Sequence, residues 1–216
     1  MSRYTVNEVI DILMSLGNRG NIEGMKSYGI VSKATILGVP KPRLRELAKK
    51  IGVDHELALE LWRTNIHEAR ILATMIADPE KLDNDTLENW ISSIDNWDLC
   101  DQLVLNLLWK IDNAYENAVE WCMRREEFVK RTGYALLARL VWKNKIGRNE
   151  IENIIQVIID GAKDDRKYVY KAVAWLLKWL VKKSWMRDIA ICILEKIRGL
   201  RTKGSRFIVR EVNRYL

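Results

Sequence analysis

Glycine and proline are scarce in this chain, with 11 and 3 in 216 residues. Average usage would supply roughly 26 of the two together. The turn punctuation of an all-β sandwich or barrel is therefore missing. Cysteine is equally sparse. Cys100, Cys122 and Cys192 form no CxxC pair, and their odd number argues against a disulfide framework. They read as buried small hydrophobes in a reducing compartment. The two histidines, His55 and His67, share no helical face and offer no zinc site with the scattered cysteines. His67 opens a helix and reads as structural. There is no GxxxxGK[ST] loop, no GxGxxG and no GxSxG. No apolar run approaches the roughly 18–20 residues of a membrane span, and Lys178 interrupts the longest candidate, residues 172–181. The opening MSRYTVNEVI lacks the basic-then-apolar pattern of a signal peptide. A cytoplasmic location and no membrane partner are the expectations.

What is present is helix-forming. At 48% hydrophobic and 30% charged the composition is that of a folded protein. Apolar residues recur at helical spacing almost everywhere. In 97–111 the set Cys100, Leu103, Val104, Leu107, Leu108 and Ile111 follows i, i+3, i+4, i+7, i+8, i+11. Asp95 or Asn96 is placed to cap that helix. Similar stripes predict helices over 6–16, 43–51, 56–62, 68–76, 85–94, 114–123, 126–142, 149–159, 168–181, 186–197 and 207–215. Pro40 and Pro42, in the loop 29–42, deny helix before Arg43. Helix pairs of roughly 35–45 residues have the size of a HEAT or armadillo unit, which buries its apolar face only by stacking on neighbours. The expected fold is all-α, an α-α superhelix (solenoid) of HEAT-like or armadillo-like helical pairs forming one domain, 1–216. A globular helical bundle is the rival.

The formal net charge of +7 is uneven. Residues 1–120 hold 13 Lys/Arg against 19 Asp/Glu, whereas residues 121–216 hold 23 against 10. A half this basic suggests a surface facing a polyanion, although a solvated or internally paired helical surface would look the same.

Two clusters stand out. In Asn96-Trp97-Asp98-Leu99-Cys100-Asp101, Trp97 and Asp101 lie i and i+4, so an indole and a carboxylate neighbour each other at the edge of the apolar stripe. The plainer alternative is a core tryptophan with Asp98 and Asp101 favouring the helix N-terminal dipole. In YVYKAVAWLLKWLVKK the apolar face is Val169, Ala172, Val173, Leu176 and Leu180. Lys171, Lys178 and Lys182 lie opposite, with Lys167 close by, and Trp175 falls among those lysines. Such a row suits phosphate contact with an aromatic platform, unless a neighbouring helix buries the indole. Trp62, Trp90, Trp109 and Trp121 sit on apolar stripes and read as packing. Arg131 lies mid-helix beside Ala135 and Ala138, small neighbours that leave its guanidinium room to reach outward.

With these segments in order (ILGVPKPRLRELAKK, HEARILATMIADP, WDLCDQL, FVKRTGYALLARL and YVYKAVAWLLKW), the chain resembles the AlkD-like HEAT-repeat DNA alkylation repair enzymes, alkylpurine DNA glycosylases. The resemblance implies DNA held in a basic concave face. It also implies excision of cationic N3- and N7-alkylated purines from duplex DNA by a monomer, without metal or cofactor. It puts the catalytic acid at Asp101, its accompanying tryptophan at Trp97, a second cleft tryptophan at Trp175 and a DNA-binding arginine at Arg131. Lys130, Lys167, Lys171, Lys178 and Lys182 are then expected along the DNA backbone. The family's usual Gly-Trp appears here as Ala174-Trp175. The resemblance further implies contact with the backbone around the lesion, without a tight base pocket. A non-catalytic HEAT-repeat protein that binds branched or damaged DNA is the alternative.

Overall fold

The computed structural model describes residues 4–216. Residues 1–3, part of the segment read for a leader, lie outside them. The described residues form α-helices with short 3-10 turns. The first unit, which ends at Asp112, contains α1 (Val6–Leu16), α2 (Arg19–Ser27), α3 (Lys41–Ile51), α4 (His55–Arg63), α5 (His67–Ile76), α6 (Asn84–Ser92) and α7 (Trp97–Asn106). The second unit, Asn113–Leu216, contains α8 (Ala114–Met123), α9 (Glu127–Trp142), α10 (Arg148–Asn153), α11 (Ile155–Ala162), α12 (Lys167–Lys182), α13 (Arg187–Arg198) and α14 (Lys203–Val212). Extended pairing among the described residues is a single parallel bridge, Thr35 to Ile66.

In the first unit α5 is the hub and packs against α3, α4 and α7, with α1 resting on α4 and α5. It is buried nearly all round, through Ala69, Ile71, Leu72, Ala73 and Ile76. Trp62 and Trp90 stack with ring centroids 4.1 Å apart and planes within 3°, so both are packing residues as expected. In the second unit α9 lies between α8 and α12, and α12 lies between α9 and α14. The close approach of α8 depends on Gly133. A Cβ there would stand 2.6 Å from the Cys122 backbone nitrogen and 2.7 Å from the Ala118 carbonyl.

Several expectations need correction. α2 carries no buried residue and gave no apolar period. α3 begins at Lys41, ahead of Arg43, because Pro42 falls in the first turn, where a missing N–H costs nothing. The stripe 149–159 is two helices, broken at Ile154, whose ψ of 11° leaves helical geometry. The stripe 97–111 closes its α-helix at Asn106 and continues as a 3-10 turn. Cys100 and Cys122 are buried, but Cys192 is exposed on α13.

Candidate functional site

The start of α7 is held from three directions. Asn96 is its cap, with Oδ1 accepting from the Leu99 N–H at 3.0 Å, which settles the choice between Asp95 and Asn96. Asp95 instead accepts from the Ser32 hydroxyl and the Lys33 N–H. Trp97, the first helical residue, is half-buried and donates from Nε1 to the Tyr28 carbonyl at 3.3 Å. Asp101, one turn on and half-buried, shares its helical face.

Asp98 turns inward between those two residues. One carboxylate oxygen pairs with the Lys41 ammonium and the other meets His67 Nε2 at 3.3 Å, with His67 fully buried at the start of α5. Burial pushes the Asp98 carboxyl up, but hydrogen bonding to His67 and the charge of Lys41 outweigh it and hold it below the usual range. A carboxylate only accepts, so Nε2 carries the proton in this contact. Glu68, the next residue of α5, is buried and accepts from three successive N–H groups, Leu37, Gly38 and Val39. Gly38 has φ of +76°, and a Cβ there would collide with the Asn18 carbonyl. The loop before α3 is thereby fastened to α5, and Lys41 is delivered to Asp98. Sequence reasoning missed this cluster because its members lie 31 and 57 residues apart. Consecutive polar residues at a buried helix start, His67-Glu68, were the only local signal.

In the second unit Arg131 does not reach outward. It is buried on α9, and its Nη1 donates to the Tyr168 carbonyl at 2.8 Å. α9 has neighbours on two sides, so a wheel with one apolar face misjudged it. Lys130 is nearly buried and pairs with Asp164 at 3.6 Å. The α12 residues match the wheel better. Val169, Ala172, Val173, Leu176 and Leu180 are all buried, while Lys167 and Lys171 are exposed and Trp175 is half-buried. Burial and the neighbouring charges of Lys167 and Arg131 lower the Lys171 ammonium below its ordinary range.

Trp175 lines a groove with Lys171, Lys178 and, from α14, Phe207 and Glu211. Lys178 lies 4.6 Å from the Tyr215 ring, and Lys182 lies 5.2 Å from the Trp179 ring. Phe207 is a second aromatic that sequence reasoning did not single out. The same holds for the basic row Lys203, Arg206, Arg210 and Arg214, whose i, i+3, i+7, i+11 spacing was legible. Arg210 lies over the Phe207 ring at 5.6 Å. Among the described residues no helix is long and apolar enough to cross a membrane. No group of three or more His, Cys, Asp or Glu among them could hold a metal ion.

A solved structure described as belonging to "a new family of proteins related to the HEAT-like repeat DNA glycosylases with affinity for branched DNA structures" superposes with a TM-score of 0.80. The match covers 98% of this chain and 95% of that one, at 20% identity, and shows the HEAT-like helical fold. The chain is also similar to an uncharacterized protein, Lin0241 of Listeria innocua serovar 6a, at 22% identity over 135 residues. That stretch is 61% of this chain and 60% of the relative. The DNA alkylation repair enzyme family matches residues 9–190, and the chain belongs to that family.

Proposed function

We propose that the protein is a DNA glycosylase that excises cationic N3- and N7-alkylated purines from duplex DNA. The observation that carries this reading is the Trp97–Asp101 pair, a half-buried indole and carboxylate on one face of α7, in a chain of the DNA alkylation repair enzyme family.

Alkylation makes the purine a cation and hence a good leaving group. The bond from C1′ of the deoxyribose to the base nitrogen breaks, and its electron pair neutralises the base. Oxocarbenium character develops on the sugar. Asp101 supplies a negative charge where that positive charge grows. It also orients a water whose oxygen bonds to C1′ and whose proton leaves to Asp101 and then to solvent. The Trp97 face offers cation–π attraction worth about 0.5–2 kcal/mol. In the second unit Lys167, Lys171, Lys178 and Lys182 neutralise backbone phosphates, with Trp175 as an aromatic contact. Arg131 and Lys130 hold the framework of that surface through Tyr168 and Asp164.

The test is chromatography of bases released from methylated duplex DNA. Wild type releases 7-methylguanine or 3-methyladenine, and Asp101→Asn lowers the rate about 100-fold or more. Equal release by the two proteins overturns the reading.

A second reading, non-catalytic binding to branched DNA, is favoured by the solved relative's described affinity and by the basic row Lys203, Arg206, Arg210 and Arg214 on and just after α14. It predicts tighter binding to a four-way junction than to linear duplex, unchanged in Asp101→Asn, with no base released.

A further inference from the structure

Three tryptophans of the second unit, Trp142, Trp179 and Trp185, play no part in the groove around Trp175. Trp142 ends α9, Trp179 lies in the last turn of α12, and Trp185 is on the 3-10 turn Ser184–Met186 that follows. The segments carrying them are tied together. Lys183 Nζ donates to the Trp142 carbonyl at 3.1 Å and to Asn144 Oδ1 at 2.6 Å, and Arg148 donates to the Trp185 carbonyl at 3.3 Å. The indoles therefore share one edge of the unit, at the C-terminal ends of α9 and α12.

Charge along this edge is of one sign. Residues 128–149 hold 6 Lys/Arg and residues 166–187 hold 7, with no Asp or Glu in either stretch. Glu152 and Asp188, which lie just beyond them in sequence, both pair with Arg148. Lys183 donates to neutral oxygens, so its charge is not cancelled. Cations at helix C-termini offset the dipole, and that alone would account for the lysines. It does not account for the indoles. Trp142 is 40% exposed and Trp185 44%, whereas the other seven tryptophans are buried or half-buried. Exposed aromatics among cations belong to binding surfaces, not to cores.

A file of rings and cations joins this edge to the Trp175 groove. Arg139 lies 4.1 Å from the centre of the Trp142 ring, which stacks on Trp179 with centroids 5.3 Å apart and planes within 18°. Lys182 stands 5.2 Å from the Trp179 ring and 5.2 Å from Tyr215. Lys178, which lines the groove, is 4.6 Å from Tyr215. Trp185 is anchored by its neighbour Met186, whose side chain is fully buried. The surface is thus ordered before anything binds, and little conformational entropy is lost on binding.

A duplex needs only cations along its phosphates, because its base faces are stacked inside. An indole meets a base face only where the strand is unpaired. We propose that this edge binds single-stranded DNA. Trp185 and Trp142 contact unstacked bases, while Lys145, Lys182 and Lys183 follow the phosphates. A strand parting from a duplex held at Lys171 and Lys178 reaches the edge along α12. The inference goes beyond both readings above and takes from them only that the second unit holds DNA. It requires no base release, and a four-way junction, being fully paired, would not use the edge.

The experiment titrates the full chain into three labelled DNAs at one moderate salt concentration: an oligothymidylate, a blunt duplex, and that duplex with one unpaired thymidylate arm. Wild type is expected to bind the oligothymidylate with quenching of tryptophan fluorescence, and the armed duplex more tightly than the blunt one. Trp185→Ala should lose about tenfold or more on the oligothymidylate together with the preference for the arm, and keep its blunt-duplex affinity. Trp142→Ala should lose likewise, with Trp142→Phe recovering part of it. Thermal melts check both, because Trp142 packs on Trp179. Wild type that binds duplex but not oligothymidylate, or Trp185→Ala that binds oligothymidylate as wild type does, overturns the inference and leaves duplex binding by the α12 groove standing. Binding to vesicles of phosphatidylserine and phosphatidylcholine, without binding to oligothymidylate, assigns the edge to a membrane and also overturns it. Oligothymidylate binding that depends on Trp185, without affinity for duplex, supports the edge and overturns the reading of the groove.

Discussion

The two units put their charge to opposite uses. Residues 1–112 carry 13 Lys/Arg against 17 Asp/Glu, and residues 113–216 carry 23 against 12. In the first unit the informative polar groups are inside. Asp98, Glu68 and His67 are buried, and their partners come from distant loops and helices. In the second unit Lys167, Lys171 and Lys182 on α12 and Lys203, Arg206, Arg210 and Arg214 around α14 are exposed. Buried polar groups are satisfied only in one arrangement, so they specify geometry. Exposed cations tolerate displacement and act at longer range, so they supply affinity. The contrast suits a protein that positions chemistry with one half and holds a polyanion with the other.

The largest effect expected separates these roles by variant. Asp101→Asn should slow base release about 100-fold or more while changing DNA affinity little. The triple substitution of Lys171, Lys178 and Lys182 by Gln should do the reverse. It should weaken duplex binding and reduce the slope of log affinity against log salt by about 2–3, with single-turnover release at saturating protein nearly unchanged. Fluorescence anisotropy over a salt series measures the slope. A slope unaffected by the lysines, or a loss of affinity in Asp101→Asn matching theirs, would dissolve the division.

A smaller effect concerns two glycines that look alike in sequence. Gly24 and Gly133 both lie within helices, where alanine is normally better by about 1 kcal/mol. At Gly24 a Cβ meets open space, so Gly24→Ala should hold or raise the melting temperature. At Gly133 the same atom meets the α8 backbone, which cannot swing aside as a side chain can. Gly133→Ala should therefore destabilise by about 1–3 kcal/mol, the usual cost of overpacking. Calorimetry decides it, and similar melting temperatures for the two variants would mean that α8 and α9 are less tightly seated than the structure has them.

What the sequence made legible follows the same division. The Trp97–Asp101 spacing and the buried face of α12 are local patterns readable from residues within four positions, and the same kind of reading narrowed the cap to Asp95 or Asn96. α2 was not, because it buries none of its side chains. It is held instead by the Asn18 cap and by Asn21 Nδ2 donating to the Gly38 carbonyl at 2.8 Å. The inward Arg131 was missed because a helix packed on two sides has no outward face to assign. The Lys41–Asp98–His67 cluster was invisible for a different reason. Its partners meet only after Glu68 has fastened the loop, and no periodicity encodes a contact across 57 residues.

The smallest effect compares one aspartate from each unit. Asp98 and Asp164 are both held below the ordinary carboxylate range. In both, burial works against ionisation but is outweighed, by His67 and Lys41 at Asp98 and by Arg166 at Asp164. For each, the unfolded chain binds a proton more readily than the native one. Stability from the ionised form is thus complete above the usual carboxylate pKa of about 3.9, and is lost as pH falls through the lower native value. Each group moves the acid slope by less than one proton, under about 1.4 kcal/mol per pH unit. The Asp98 side chain is 2% exposed and that of Asp164 10%, so less solvent screens the Asp98 pair. Asp98→Asn should therefore flatten the fall in stability below about pH 4 more than Asp164→Asn does. Urea unfolding at a series of acid pH values reads both slopes, and a larger change in Asp164→Asn would show that the buried cluster of the first unit does not dominate acid unfolding.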